Sequence, residues 1–315
     1  MEQRFYGRGK LLLTSEYLVV DGAKALALPC KYGQDLIVHS SPSEVASIEW
    51  TSKDEKGEIW FEGKFRTLKA PTRSGGERII VEPLTSTDDD VALRLSMLLF
   101  QAILLKGGID SREFRIETNL EFARDWGLGS SSTLIYNVAS WLEIDPFTLF
   151  FKYTKGSGYD VACAGSDQAL LYQRNTNQPV IEKVEWAPDF QDELFFVHLG
   201  NKQHSDQEVT KYSLLSFDRQ EAISEINDIT NRILNSDSLK EFESLVNLHE
   251  DFMSGILKRP TIKSLMFSDY QGSIKSLGAW GGDFVLVTRT SQMHEYFSSK
   301  GHLTILSFSD MIYGG

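Results

Sequence analysis

The stretch DWGLGSSSTLIYNVASWL, residues 125–142, opens with two glycines and three consecutive serines and then turns into an apolar pattern with helical spacing. Leu134, Ile135, Val138, Trp141 and Leu142 fall on one helical face, so the spacing predicts a helix that starts within the serine run. The first N–H groups of a helix have no partner inside it, and the helix dipole adds positive potential at that end. Glycines there let the backbone approach an anion, and serine hydroxyls can donate to a phosphate or ligate Mg²⁺. The segment reads equally well as an ordinary capped helix start after a loop. It is not a P-loop, which needs G-x-x-x-x-G-K-[ST]. Nor is it a dinucleotide fingerprint, for it lacks the third glycine and the ribose-binding acid.

Working outward, three other glycine-containing segments carry polar residues in apolar settings. In GRGKLLLTSEYLVVDGAKALALP, residues 7–29, Lys10 opens a run of leucines, Glu16 follows, and Gly22 reads as a hairpin turn. In KGSGYDVACAG, residues 155–165, Asp160 lies among small and apolar residues, where a carboxylate needs a partner and, beside a lysine, can act as a general base. In LGAWGGDFVLV, residues 277–287, a glycine-rich turn leads into a strand. Each has a bland alternative: a solvated strand end, an N-cap aspartate, a tight turn.

The rest of the chain sets bounds. Its 315 residues allow one large domain or two ordinary ones, and 41% hydrophobic with 24% charged residues is globular composition. A net charge of −12 without a basic stripe argues against nucleic acid as a partner, while leaving room for a small phosphorylated ligand. No run is long enough to span a membrane, and MEQRFYGRGK is too charged for a signal peptide, which places the expected location in the cytoplasm. Cys30 and Cys163 show no paired spacing and read as free buried thiols.

The first 85 residues read mostly as strands, among them Lys10–Leu13, Tyr17–Val20 and Leu36–Ser40. Asp88, Asp89 and Asp90 precede an apolar helical run and read as an N-cap with acids favoured by the dipole rather than as a metal cluster. Ser238 with Glu241 reads as a capping box. A composition shift over residues 172–190 marks a domain boundary, giving domains 1–180 and 181–315.

Taken in order, the segments resemble the three motifs of the GHMP kinases, the family named for galactokinase, homoserine kinase, mevalonate kinase and phosphomevalonate kinase. Arg8-Gly9-Lys10 through Ser15-Glu16 to Gly22 is similar to the first motif, Ala123 through Gly127-Leu128-Gly129-Ser130-Ser131 to the second, and Gly278-Ala279-Trp280-Gly281-Gly282-Asp283 to the third. Ser157-Gly158-Tyr159-Asp160 resembles the catalytic segment, with wording similar to a subgroup named after its G-Y-D-I-A string.

The resemblance implies an α+β fold in two lobes, the N-terminal one like the second domain of ribosomal protein S5 and the C-terminal one ferredoxin-like. It implies phosphoryl transfer from ATP with Mg²⁺ to a small molecule of the mevalonate or phosphomevalonate type. Asp160 would be the base, and Lys10 would steady it and the transferring group. Gly127, Leu128, Gly129, Ser130, Ser131 and Ser132 would hold the ATP phosphates, with Ser131 on the metal. Glu16, Ser157, Gly158, Lys202, Ser205, Gly278, Ala279, Gly281 and Gly282 would line the substrate side. A homodimer is also open to such a chain. A sugar or homoserine kinase, or a metabolite-binding homologue without catalysis, are the rivals. Four positions depart from the pattern: Arg8 and Ala123 replace prolines, Ser15 replaces a glycine, and Asp283 stands where many members have a third glycine. The family's Mg²⁺-binding glutamate upstream of the aspartate has no counterpart, the position falling near Leu149.

Overall fold

The computed structural model describes residues 1–71, 77–175, 178–200, 205–278, 280 and 282–314. The chain divides into two compact units that interleave in sequence. The first takes Met1–Arg8, Tyr32–Arg124 and Gly129–Lys155; the second takes Gly9–Lys31, Asp125–Leu128 and Gly156–Gly315. Two strands, β1 (Glu2–Leu12) and β2 (Lys24–Pro42), give residues to both.

In the first unit, β3 (Ser47–Lys53), β4 (Ile59–Pro71), β5 (Glu77–Ser86) and β6 (Arg112–Leu120) join the later half of β2 in the order β5-β4-β3-β6-β2. All pairs are antiparallel except β3 with β6. Helix α1 (Asp89–Lys106) leads into β6. Asp88 Oδ1 accepts from the N–H groups of Asp90 and Val91 at 3.0 Å each, so the acidic triplet is the N-cap the sequence suggests. Gly107 ends the helix in a left-handed cap at φ 84°. Helices α2 (Ser130–Trp141) and α3 (Pro146–Tyr153) follow. Thr133 and Asn137 of α2 tie it to β2, Thr133 Oγ1 donating to Gln34 Oε1 at 2.7 Å and Asn137 Nδ2 to the Gln34 carbonyl at 2.9 Å.

The second unit begins at Gly9, near the end of β1. The sequence predicts a strand over Tyr17–Val20; the structure has a 3₁₀ turn at Leu18–Asp21 instead. Ser15 and Tyr17 take positive φ, 65° and 64°, which breaks an extended run whatever its β-forming side chains prefer. Gly22 closes that turn at φ 98°. After α4 (Tyr159–Ala164), β7 (Ala169–Gln173) pairs antiparallel with Lys24–Ala27 of β2 and with β8 (Val180–Val184).

The C-terminal part is an antiparallel sheet of β9 (Leu194–His198), β10 (Ile274–Ser276), β11 (Phe284–Thr288) and β12 (Ile305–Ser307), ordered β10-β11-β9-β12. Between β9 and β10 run α5 (Ser205–Ser213), α6 (Arg219–Leu234), α7 (Leu239–Leu257) and α8 (Ile262–Met266). Helix α9 (Met293–Ser299) precedes β12 and α10 (Phe308–Met311) follows it. This strand–helix–strand–strand–helix–strand order is the ferredoxin-like split βαβ plan. Phe195, Val197, Ile274, Val285, Val287 and Phe297 are among its core. Ser238 caps α7 by accepting from Glu241 N–H at 3.3 Å. Cys30 and Cys163 are free and buried, as the sequence suggests. No helix among the described residues is long and apolar enough to cross a membrane.

Candidate functional site

Lys10 stands on β1, and its position is fixed twice by the glycine stretch. Its N–H donates to the Leu128 carbonyl at 3.0 Å, and its Nζ donates to the Gly127 carbonyl at 2.9 Å. The ammonium also lies 5.6 Å from the centre of the Tyr159 ring. Burial disfavours the charged lysine, but Tyr159, Asp160 and Asp283 together outweigh that penalty and hold its pKa above the ordinary lysine range. One cation therefore faces two carboxylates from distant parts of the sequence.

Asp160 lies in the first turn of α4, directly after Gly158, which adopts φ 92°. A side chain at 158 would be strained in that left-handed conformation. Ser157 is buried, and its carbonyl accepts from Tyr172 Oη at 2.5 Å, which anchors the segment to β7. Burial pushes the Tyr159 phenol up to about 12 despite its nearness to Lys10, so it remains a neutral hydroxyl beside the ammonium.

Asp283 is the residue the motif comparison left without a role. Gly127 adopts φ 66°, and a Cβ built on it would fall inside the Asp283 carboxylate and 2.7 Å from the Asp283 Cβ. The space on the Cβ side of this glycine is taken by a side chain of the same chain. Asp283 is held in turn by its carbonyl, which accepts from Leu199 N–H at 2.8 Å. Trp126 lies against the neighbouring strand, 5.6 Å from the Phe284 ring in an edge contact. Gly278 takes φ 64°, and Gly282 is buried. Ala279, Gly281 and Lys202 lie outside the described residues. Ser205 begins α5, and its side chain is likewise outside them.

In the first unit, Gly129 caps α2 in a left-handed conformation, φ 88°, with no side-chain hydrogen bond. Its carbonyl accepts from the N–H groups of Ser132 and Thr133 at 3.0 Å each. Ser130 is half-buried, Ser131 exposed and Ser132 buried. The helix start therefore offers backbone N–H groups and one exposed hydroxyl, the donor types an anion or a hydrated cation uses.

Glu16 sits elsewhere in the second unit than a substrate-facing residue would. Its side chain is wholly buried, and one carboxylate oxygen pairs with Lys275 Nζ of β10. Lys275 also lies 3.1 Å from Glu250 Oε1 and donates to the Ser276 carbonyl at 2.5 Å. Ser276 Oγ donates to Glu250 Oε2 at 2.7 Å. His249 Nε2 accepts from Ser15 N–H at 3.0 Å and lies 3.3 Å from Glu16 Oε2. Burial holds the His249 pKa well below 6.5, with Lys275 adding to the shift, so the ring is neutral. Burial pushes the Glu16 carboxyl up to about 7, against the pull of Lys275. Ser15, which replaces the motif's glycine, occupies the left-handed conformation a glycine would favour. Its Oγ compensates by donating to the Lys24 carbonyl at 2.5 Å.

Neither a protein-family model nor a curated protein matches this sequence. Solved structures do match the fold. A phosphomevalonate kinase from Streptococcus pneumoniae, in complex with phosphomevalonate and AMPPNP, is 16% identical with a TM-score of 0.65, covering 97% of this chain and 99% of that one. A galactokinase from Lactococcus lactis, complexed with galactose, is 12% identical with a TM-score of 0.67, covering 100% and 94%. The mevalonate kinase of L. major, in complex with R-mevalonate, is 13% identical with a TM-score of 0.61, covering 95% and 90%. The chain thus has the α+β fold of the GHMP kinases over nearly its whole length.

Proposed function

We propose that the protein is an ATP- and Mg²⁺-dependent kinase that phosphorylates a small molecule of the mevalonate or phosphomevalonate type. The observation that carries this reading is Lys10, bonded to the Gly127 carbonyl and held charged by the negative field of Asp160 and Asp283, in a chain with the fold of such kinases. Phosphoryl transfer needs little covalent help from a protein; it needs positioned reactants and compensated charge.

Taken by itself, the start of α2 in the first unit, with Gly129, Ser130 and Ser132, would offer its N–H groups and hydroxyls to ATP phosphates, and Ser131 would hold a magnesium ion. That ion would neutralise charge on the phosphates. Asp160 receives the proton of the acceptor, whose oxygen attacks the γ-phosphorus. The bond from that phosphorus to the β–γ bridging oxygen breaks, and ADP leaves with the electron pair. Lys10, always protonated, keeps Asp160 oriented and offsets charge on the transferring group. Ser157, Gly158, Gly278 and Gly282 shape the acceptor side. Glu16 acts from behind this surface, bracing the segment that follows β1 against β10 through Lys275. Asp283 fixes the Gly127 carbonyl that holds Lys10.

Coupled ADP release over a panel of mevalonate, phosphomevalonate, homoserine and hexoses tests the proposal. Acceptor-dependent release with one of the first two is the expected result. Release with a hexose or homoserine instead would move the acceptor class. Mg-ATP binding with no release across the panel would favour a metabolite sensor.

A further inference from the structure

We propose that the outward face of α1 is a docking surface for a second copy of this chain, packed antiparallel about a two-fold axis. This inference does not depend on the kinase reading, since it rests on the first unit alone.

The inner face of α1 is core: Ala92, Leu95, Leu98, Leu99, Ala102 and Ile103 are all buried. A helix with that single apolar face would be polar outside. Here the outside is apolar too. Leu93, Met97 and Leu104 are 56%, 53% and 51% exposed, and Phe100 between them is half-buried. The four recur at intervals of four, three and four residues, the seam spacing of two helices packed lengthwise. Stripes of large exposed apolar side chains of this kind mark association surfaces.

The spacing also selects the partner. It reads the same from either end, so an antiparallel copy of the same helix sets Leu93 against Leu104 of the second copy and Met97 against its Phe100. Such a surface is self-complementary, as a two-fold interface requires. The charges agree with that direction. Asp89 and Asp90 stand exposed at the start of α1 and Lys106 exposed at its end. Antiparallel packing brings each acidic end to the other copy's Lys106 and opposes the two helix dipoles. Parallel packing would place acid against acid. Lys106 already pairs with Glu143 at 2.8 Å, but both side chains are exposed, so the pair can be shared at little cost. The apolar stripe supplies the affinity and the charges supply the direction.

Light scattering on the full chain, over a concentration series, should give a dimer mass. Met97→Lys, at the centre of the stripe, should give a monomer with an unchanged melting temperature. Orientation is read by cross-linking. Leu93→Cys/Leu104→Cys should form a covalent dimer on oxidation, because these positions meet between copies. Within one helix they are about 16 Å apart, too far for a disulfide. Leu93→Cys alone should not cross-link. A wild-type chain that stays monomeric throughout, a dimer that survives Met97→Lys, or a single Leu93→Cys variant that cross-links as readily as the double one would each overturn the proposal.

Discussion

The Asp283 carboxylate fills the space a side chain at Gly127 would need, and the Gly127 carbonyl accepts from Lys10 Nζ at 2.9 Å. Three residues more than a hundred positions apart are thus held in one arrangement. Its expected consequence is non-additivity. Gly127→Ala should destabilise the chain through both the clash and the left-handed backbone. Gly127→Ala/Asp283→Gly removes the clash, so its loss should be smaller than the sum of the two single losses, while the left-handed backbone still costs about 1–2 kcal/mol. Urea unfolding of the single and double variants checks this. A double-variant loss equal to the sum of the Gly127→Ala and Asp283→Gly losses would mean that Asp283 does not rest on Gly127.

The buried group around Lys275 gives a second expectation. Lys275→Met leaves Glu16 and Glu250 without their cation inside the protein. Removing one partner of such a pair typically costs about 3–5 kcal/mol. Adding Glu16→Gln to Lys275→Met should recover part of that loss, since the neutral amide is cheaper to bury. A midpoint in urea that does not move on Lys275→Met would contradict the buried pairing.

His249 gives a pH dependence of defined sign. Its pKa in the folded chain lies well below the unfolded value of 6.5, so the stabilising effect of the neutral ring is present above 6.5 and is lost as pH falls below it. The loss is about 1.4 kcal/mol for each pH unit below 6.5 while the ring stays neutral. His249→Gln can still accept from Ser15 N–H but does not titrate. The melting-temperature gap between wild type and this variant should therefore narrow from pH 7 to pH 5. A gap constant with pH would show that the ring titrates normally. Glu16 works oppositely: its raised carboxyl favours the folded chain at low pH, an advantage lost as pH rises through about 7. His249→Gln leaves that contribution largely in place, so the difference between the two proteins isolates the histidine.

Much of the local structure was legible in the residues. Asp88 and Ser238 cap their helices because a short oxygen-bearing side chain before an apolar periodic run has few better uses. The start of the helix at Ser130 followed from the same logic. Lys10 and Asp160 were singled out in the sequence only through the order of motifs around them. Tyr17–Val20 was misread as a strand, since its β-forming side chains carry no mark of the positive φ at Tyr17. The Lys275, His249 and Glu250 group was invisible for another reason. Lys275 is separated from Glu16 by 259 positions, and nothing local requires a lysine in β10 to be buried. Asp283 was noticed as a departure from the family pattern; only its seat on Gly127 gives that departure a meaning. The interleaving of the two units is likewise a property of long-range pairing, which a shift in composition near residue 180 does not carry.

The central claim is that Asp160 acts on the acceptor while Lys10 offsets charge on the transferring group. Acceptor-dependent ADP release by wild type and by Asp160→Asn, compared at saturating Mg-ATP, tests it most directly. The expected result is a fall in turnover of about 10²–10⁴-fold with Mg-ATP affinity unchanged, as for loss of a positioned base. Unchanged turnover in Asp160→Asn with a true acceptor would contradict the account.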